Sequence, residues 1–133
     1  MFGRKLKILS LAVLLICSTS KLFALEEYVS EIYKQIDTCF ATKDEAKLNS
    51  LLSKNTTDRY YYLMENYTQK KIRRLIVNND YDFAMAATLI VIENNLDNEE
   101  AVEMYNELVQ QRIDRLHKAI REAEGDFINR SEV

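Results

Sequence analysis

The chain of 133 residues has no proline, no tryptophan, one histidine and only two glycines, Gly3 and Gly125. Sheet proteins use glycine and proline at their tight turns, so this scarcity argues strongly against a β-rich fold. The residues that are abundant, among them Leu, Ala, Glu, Lys, Arg and Ile, favour helices. We therefore expect an all-α protein.

Side chains for catalysis and metal binding are also scarce. His117 is the only histidine and lies among basic residues, so we interpret it as a surface residue rather than a general base or a ligand. No cysteine or histidine cluster has metal-ligand spacing, and no glycine-rich loop could hold a phosphate. The sequence thus predicts no enzyme, no catalytic residue, no metal site and no cofactor.

Residues 1–24 have the pattern of a secretory signal peptide. The basic residues Arg4, Lys5 and Lys7 precede an apolar run from Ile8 to Ile16, and the segment closes with Ala24. The run of about nine residues is too short to span a bilayer. We predict cleavage after Ala24 and export to the periplasm or cell envelope.

A second interpretation of the same segment comes from its first cysteine. The stretch Leu14-Leu15-Ile16-Cys17 resembles a bacterial lipobox, in which the cysteine becomes the lipidated first residue of the mature protein. Ile16 stands where that motif usually has a small residue. Under this alternative the signal ends before Cys17 and the protein is lipid-anchored. The other cysteine, Cys39, lies on the apolar side of a helix, and we expect it to be buried.

Loss of residues 1–24 makes the chain acidic. The segment contains four basic residues and no acidic one, so a balance of 18 basic to 21 acidic residues becomes 14 to 21, a net charge of −7 with His117 neutral. Such a chain has no general attraction for nucleic acid or anionic lipid. We expect its partner to be a protein with a basic surface, and membrane contact only through the signal or a lipid anchor.

Apolar spacing and polar corners divide the remaining sequence into five helices. The fourth, centred on AMAATLIVI, has almost no polar face, and we predict that it is the central core helix. Gly125 is expected to end the fifth helix, which makes 25–125 the domain and 126–133 a tail. The predicted helices are about Glu26–Phe40, Asp44–Lys54, Asp58–Val77, Tyr81–Asn94 and Glu99–Glu124.

A weak internal repeat with an offset of 38 residues aligns Lys43–Ala46 with Tyr81–Ala84. The segment from Asp80 to Leu108 resembles the tetratricopeptide repeat family. Ala84 falls on the small residue where two helices approach closely, and LDNEEAVEMYNEL is similar to the start of a following repeat, although Leu96 replaces the usual proline. The resemblance implies antiparallel helices stacked as two and a half helical hairpins, and a scaffold or adaptor role.

A helical wheel separates the four tyrosines of DRYYYLMENY. Tyr60 and Tyr67 face the core, Tyr61 lies at its margin, and Tyr62 points outward with three polar residues. In the repeat family the first helix of each unit lines a concave surface, so the resemblance implies a groove for a peptide or protein segment. The predicted protein-binding residues are Tyr62, Asn66, Gln69, Arg73, Glu100, Glu103, Glu107 and Gln110.

Two other interpretations stay open. The predicted groove could be an ordinary solvated face, with Arg73 paired to Glu103 or Glu107. The protein could also be a small exported helical-bundle lipoprotein, or an antigen-like protein, that binds an apolar ligand in a cavity lined by Met85 and Leu89. The long last helix could seat a partner or a second copy of the chain.

Overall fold

The computed structural model describes residues 24–131, and every secondary-structure element in this range is an α-helix. For these residues the prediction of an all-α protein with five helices is confirmed. The helices are α1 (24–42), α2 (Glu45–Asn55), α3 (Tyr61–Val77), α4 (Tyr81–Asn94) and α5 (Glu99–Ser131). The predicted signal sequence up to residue 23, including Cys17, lies outside the described residues.

The chain divides into two compact units, Met1–Thr38 and Cys39–Val133. In the first unit the described residues belong to α1, and Ile32 and Ile36 are buried there, in agreement with the apolar spacing of the sequence. The second unit contains the end of α1 and the other four helices. Cys39 is fully buried, as expected.

Helix α4 lies at the centre of the second unit and packs against α2, α3 and α5. Small side chains such as Ala84 and Ala87 are fully buried and allow close approach of the neighbouring helices, while Phe83 meets Phe40 edge-on at 5.2 Å between ring centroids. Buried Thr88 donates to the carbonyl oxygen of Ala84 at 2.6 Å, so its hydroxyl is satisfied within the helix. The prediction that α4 is the core helix is confirmed.

The corners that lead into α2 and α4 share one backbone geometry. Lys43 and Asn79 have positive φ angles of 53° and 61°, a conformation that glycine usually provides. In both corners the next amide, of Asp44 or Asp80, donates at 2.9 Å to the carbonyl oxygen five residues earlier. This closure is typical of a helix that ends in a left-handed residue. The two corners lie 36 residues apart, where the sequence alignment predicted an offset of 38.

The C-terminal end of α5 differs from the sequence prediction. The helix continues through Gly125 to Ser131, so residues 126–131 are helical instead of forming a tail after a glycine cap. Gly125 does not have the positive φ of a helix-ending glycine. A single glycine costs a helix only about 1 kcal/mol, and the strong helix formers on both sides outweigh that cost.

Candidate binding groove

A surface groove with a volume of about 340 Å³ lies between the C-terminal half of α3 and the first turns of α5. Helices α3 and α5 run in the same direction along its two walls. The ion pair of Arg73 with Glu100 lies where the groove begins. Acidic residues form the α5 rim, and apolar side chains lie between the walls. The lining residues are Arg73, Ile76, Val77, Glu100, Glu103, Met104 and Glu107.

The charges of the groove are not balanced. Arg73 pairs with Glu100, and since both side chains are about half exposed the pair stabilises the fold by at most about 1 kcal/mol. Within the described part of the chain, the side chains of Glu103 and Glu107 make no hydrogen bond or ion pair. The groove therefore presents two carboxylates without a cationic partner.

The apolar part of the groove lies next to these carboxylates. Met104 is buried and Ile76 is half-buried, whereas Val77, the last residue of α3, is 79% exposed. An exposed aliphatic side chain beside a polar rim is a common feature of interaction sites. This combination suits a polypeptide segment that carries an apolar residue next to a lysine or arginine.

A partly buried polar cluster holds α3 against the corner that starts α5. We call Glu65, Gln69, Asn95 and Asn98 the Glu65 cluster. The Glu65 carboxylate accepts hydrogen bonds from the Asn95 amide, at 3.0 and 3.1 Å, and from the Asn98 amide at 2.7 Å. Only 7% of Glu65 is exposed, so these donors take the place of water around its charge.

The two asparagines of the cluster have fixed amide orientations. The Asn98 Oδ1 atom accepts the Ala101 N–H at 3.1 Å and so caps α5. The Asn95 Oδ1 atom accepts the Asp97 N–H at 3.2 Å. Each NH₂ group must then point to Glu65, which fixes where α5 begins relative to α3 and hence how the groove walls are aligned.

Tyr61 lies near the Glu65 cluster, and its hydroxyl is buried without a hydrogen-bond partner in the described structure. Burial, followed by the nearby Glu65 charge, raises the pKa of Tyr61 to about 12. The sequence placed Tyr61 at the margin of the core, and the structure places it inside. Tyr60 and Tyr67, which the wheel assigned to the core, are half-buried.

No protein-family model, curated protein or solved structure matches this chain. Across residues 24–131, no set of three or more His, Cys, Asp or Glu side chains is arranged to hold a metal ion. In the same range, no helix combines the length and the apolar character that crossing a membrane requires.

The structure brings together half of the predicted binding residues. Arg73, Glu100, Glu103 and Glu107 all line the groove. These four residues lie together, as the sequence analysis predicted, because α3 and α5 lie side by side. The partner of Arg73 differs from the solvated-face interpretation, because it is Glu100 rather than Glu103 or Glu107.

Three predicted residues remain exposed but lie outside the groove. Tyr62, 56% exposed, and Asn66 lie in the first turns of α3. Along the axis of α3, helix α5 begins only after these turns. Gln110 lies beyond the end of α3 and donates to Asp114 Oδ1 at 3.0 Å. The predicted residues of α3 and those of α5 are therefore offset along the helix axes, and the two sets overlap only in the middle.

Gln69 differs most from its predicted position. It is 4% exposed, and its amide nitrogen lies 3.4 Å from Asn98 Oδ1 and 3.5 Å from Glu100 Oε2. The expectation that Gln69 faces a groove does not agree with this burial. Gln69 is buried because the start of α5 covers this turn of α3.

Sequence reasoning missed the apolar part of the groove and the Glu65 cluster. One signal was present, because Val77 lies four residues after Arg73 and therefore on the same face of α3. Met104 follows Glu100 by the same interval. No local pattern identified Glu65, whose partners lie 30 and 33 residues away in the chain.

Proposed function

We propose that the protein is an exported, non-catalytic scaffold or adaptor of the cell envelope that binds another protein through the groove between α3 and α5. The observation that carries this proposal is the position of Glu103 and Glu107, two carboxylates without partners, beside the apolar side chains of Met104 and Val77. The groove lining contains no histidine, cysteine or serine, and its features suit binding.

The chemistry of the groove indicates the kind of partner. Three glutamates and one arginine give it a net negative charge, which attracts lysine and arginine side chains and favours rapid association. Its volume lies at the lower end of the range of about 300–1,000 Å³ that small-molecule sites occupy. One or two side chains of a basic, partly apolar segment would fill it.

The proposed architecture is a stack of helical hairpins of the tetratricopeptide type. Support comes from the two matching corners at Lys43 and Asn79 and from the central position of α4 between α2, α3 and α5. In such a stack α3 and α5 are the first helices of successive units and line one surface. The groove lies between these two helices.

Export is part of the same proposal and rests on the sequence of residues 1–24. Cleavage after Ala24 would release a protein that begins at Leu25, whereas processing at the lipobox would leave an acylated Cys17 at the N-terminus. Intact-mass spectrometry of the exported protein distinguishes the two. An unprocessed N-terminus on a protein found in the cytoplasm would contradict export.

The alternative, a bundle that binds an apolar ligand, has less support. Leu89 lies at the surface, and Met85 is half-buried with its sulfur 3.7 Å from Arg112 Nη1. Neither residue lines the groove between α3 and α5. Binding of the protein to apolar probes would revive this alternative.

Charge reversal in the groove tests the proposed function. We expect Glu107→Lys to weaken binding of the native partner by about tenfold, because a repulsive contact replaces an attractive one. Glu93→Lys is the matched control, since Glu93 is an equally charged, exposed residue of α4 outside the groove. Partners are first captured by crosslinking in intact cells, and affinities are then measured with purified proteins. Equal affinities for the two variants would contradict the proposal.

A further inference from the structure

The second half of α5 carries an unusual apolar stripe. All residues from 112 to 130 are exposed, yet apolar side chains recur at alternating intervals of four and three residues. Leu116 is 55% exposed and Phe127 is 74% exposed. The alternation is the a and d pattern of heptads, which marks a helix that pairs with another helix. The stripe consists of Val109, Ile113, Leu116, Ile120, Ala123 and Phe127.

The stripe lies on a face of α5 that the rest of the second unit leaves open. Arg112 and Arg115 mark the side of α5 that contacts α4, through Met85 and Tyr81. On a helical wheel the stripe lies about 100° to one side of the α4 contact, and the groove glutamates lie to the other side of that contact. A helix can therefore cover the stripe without displacing α4 or blocking the groove.

The sequence of the stripe is complementary to itself when reversed. An antiparallel second copy, centred on residue 118, places Val109 opposite Phe127, Ile113 opposite Ala123 and Leu116 opposite Ile120, each twice by symmetry. The large side chains at the ends thus face smaller ones, as good packing requires. The six paired positions extend over about 27 Å of helix.

The charges along α5 favour the same arrangement. Arg112 comes directly before Ile113 near one end of the stripe, and Asp126 comes directly before Phe127 at the other end. Antiparallel pairing centred on residue 118 places Arg112 next to Asp126 on both sides of the two-fold axis, whereas Arg115, Lys118 and Arg121 lie on the outer faces of the paired helices. Parallel, in-register pairing would instead hold Arg112 and Asp126 about 21 Å apart along the helices. Among the described residues, the Arg112 side chain makes only a weak contact with a methionine sulfur, so its guanidinium keeps donors for this pair.

We propose that two copies of the chain associate through antiparallel pairing of the α5 stripe, with their groove-bearing bodies at opposite ends of the paired helices. Each dimer would then carry two separate grooves, which increases the avidity for a partner with repeated sites. This inference stands on the heptad spacing of α5 and on the placement of Arg112 next to Asp126, and it does not depend on what the groove binds.

Sedimentation equilibrium of the purified full chain tests the dimer. We expect a concentration-dependent monomer–dimer equilibrium that Leu116→Glu with Ile120→Glu weakens by about 100-fold or more, because both copies would bury carboxylates. Lys118→Gln with Arg121→Gln changes the net charge by the same amount on the outer face of α5 and is expected to leave the dimer intact. Both altered pairs are exposed in the single chain, and circular dichroism checks that each variant keeps its helices. A monomer at all concentrations, or a dimer insensitive to the glutamates, would overturn the proposal.

Charge swaps then test the antiparallel register. Arg112→Asp alone and Asp126→Arg alone each place like charges together twice, and we expect dimerisation about tenfold weaker. The double variant restores opposite charges in reversed order and should dimerise within about threefold of the wild type. If the double variant is as weak as the single ones, or if neither single change has an effect, the proposed register is wrong.

Discussion

Glu65 connects the stability of the fold to the alignment of the groove. Replacing it with alanine removes the acceptor of the Asn95 and Asn98 amides and leaves two half-buried donors without this partner. A hydrogen bond to a charged group contributes about 1.5–3 kcal/mol, and water that enters the vacated space would recover part of this. We therefore expect Glu65→Ala to lower the free energy of unfolding by about 3 kcal/mol. For a domain of this size, that loss corresponds to a fall in Tm of about 12–24 °C.

Urea denaturation followed by circular dichroism measures this loss directly. Glu65→Gln keeps the side-chain volume but turns one of the two acceptors into a donor, so an intermediate loss of about 1–2 kcal/mol is expected. Glu93→Ala, at an exposed position of α4, is the control and should change stability by no more than about 0.5 kcal/mol. If Glu65→Ala is as stable as this control, the Glu65 cluster does not hold α3 and α5 together and the reasoning is refuted.

Three further predictions concern Tyr61, Cys39 and Gly125. Because the pKa of Tyr61 is raised to about 12 in the native state, the unfolded chain releases that proton first as the pH rises above about 10. Stability should then fall by up to about 1.4 kcal/mol per pH unit until about pH 12, and denaturation curves of Tyr61→Phe should lack this part of the slope. Burial raises the pKa of the Cys39 thiol and blocks access to it, so peptide mapping should find Cys39 labelled by a thiol reagent only after unfolding; rapid labelling of the native protein would contradict its burial. Gly125→Ala should stabilise α5 by about 0.5–1 kcal/mol and slow amide exchange around residue 125, because no atom within 4 Å opposes the added methyl group. A destabilised variant would instead indicate that the helix ends at this glycine.

The helices could be predicted because their signals are local. The AMAATLIVI segment is apolar on all sides, and Asn98 followed by two glutamates marks the start of α5. Gly125 gave the wrong end for α5, because glycine caps a helix only when the chain adopts a positive φ there, and the residues on either side favour helix.

The groove could be predicted only in part because it depends on contacts between distant residues. The face of each helix followed from its periodicity, which correctly grouped Arg73 with the α5 glutamates. The shift of α5 relative to α3 is set by hydrogen bonds between Glu65 and a corner about thirty residues later. That shift buries Gln69, leaves Tyr62 without a facing helix and brings Val77 into the groove, and no pattern within a single helix encodes it.

Site-specific photocrosslinking in intact cells tests most directly whether this groove binds another protein. Val77, in the groove, and Leu96, in the corner before α5, are both 79% exposed, so a photoreactive amino acid at either position meets solvent equally. We predict that residue 77 captures a discrete partner, that residue 96 does not, and that Glu103→Lys with Glu107→Lys abolishes the capture. The same products from both positions, or capture at residue 77 that survives the charge reversal, would contradict the proposal that the groove is the binding site.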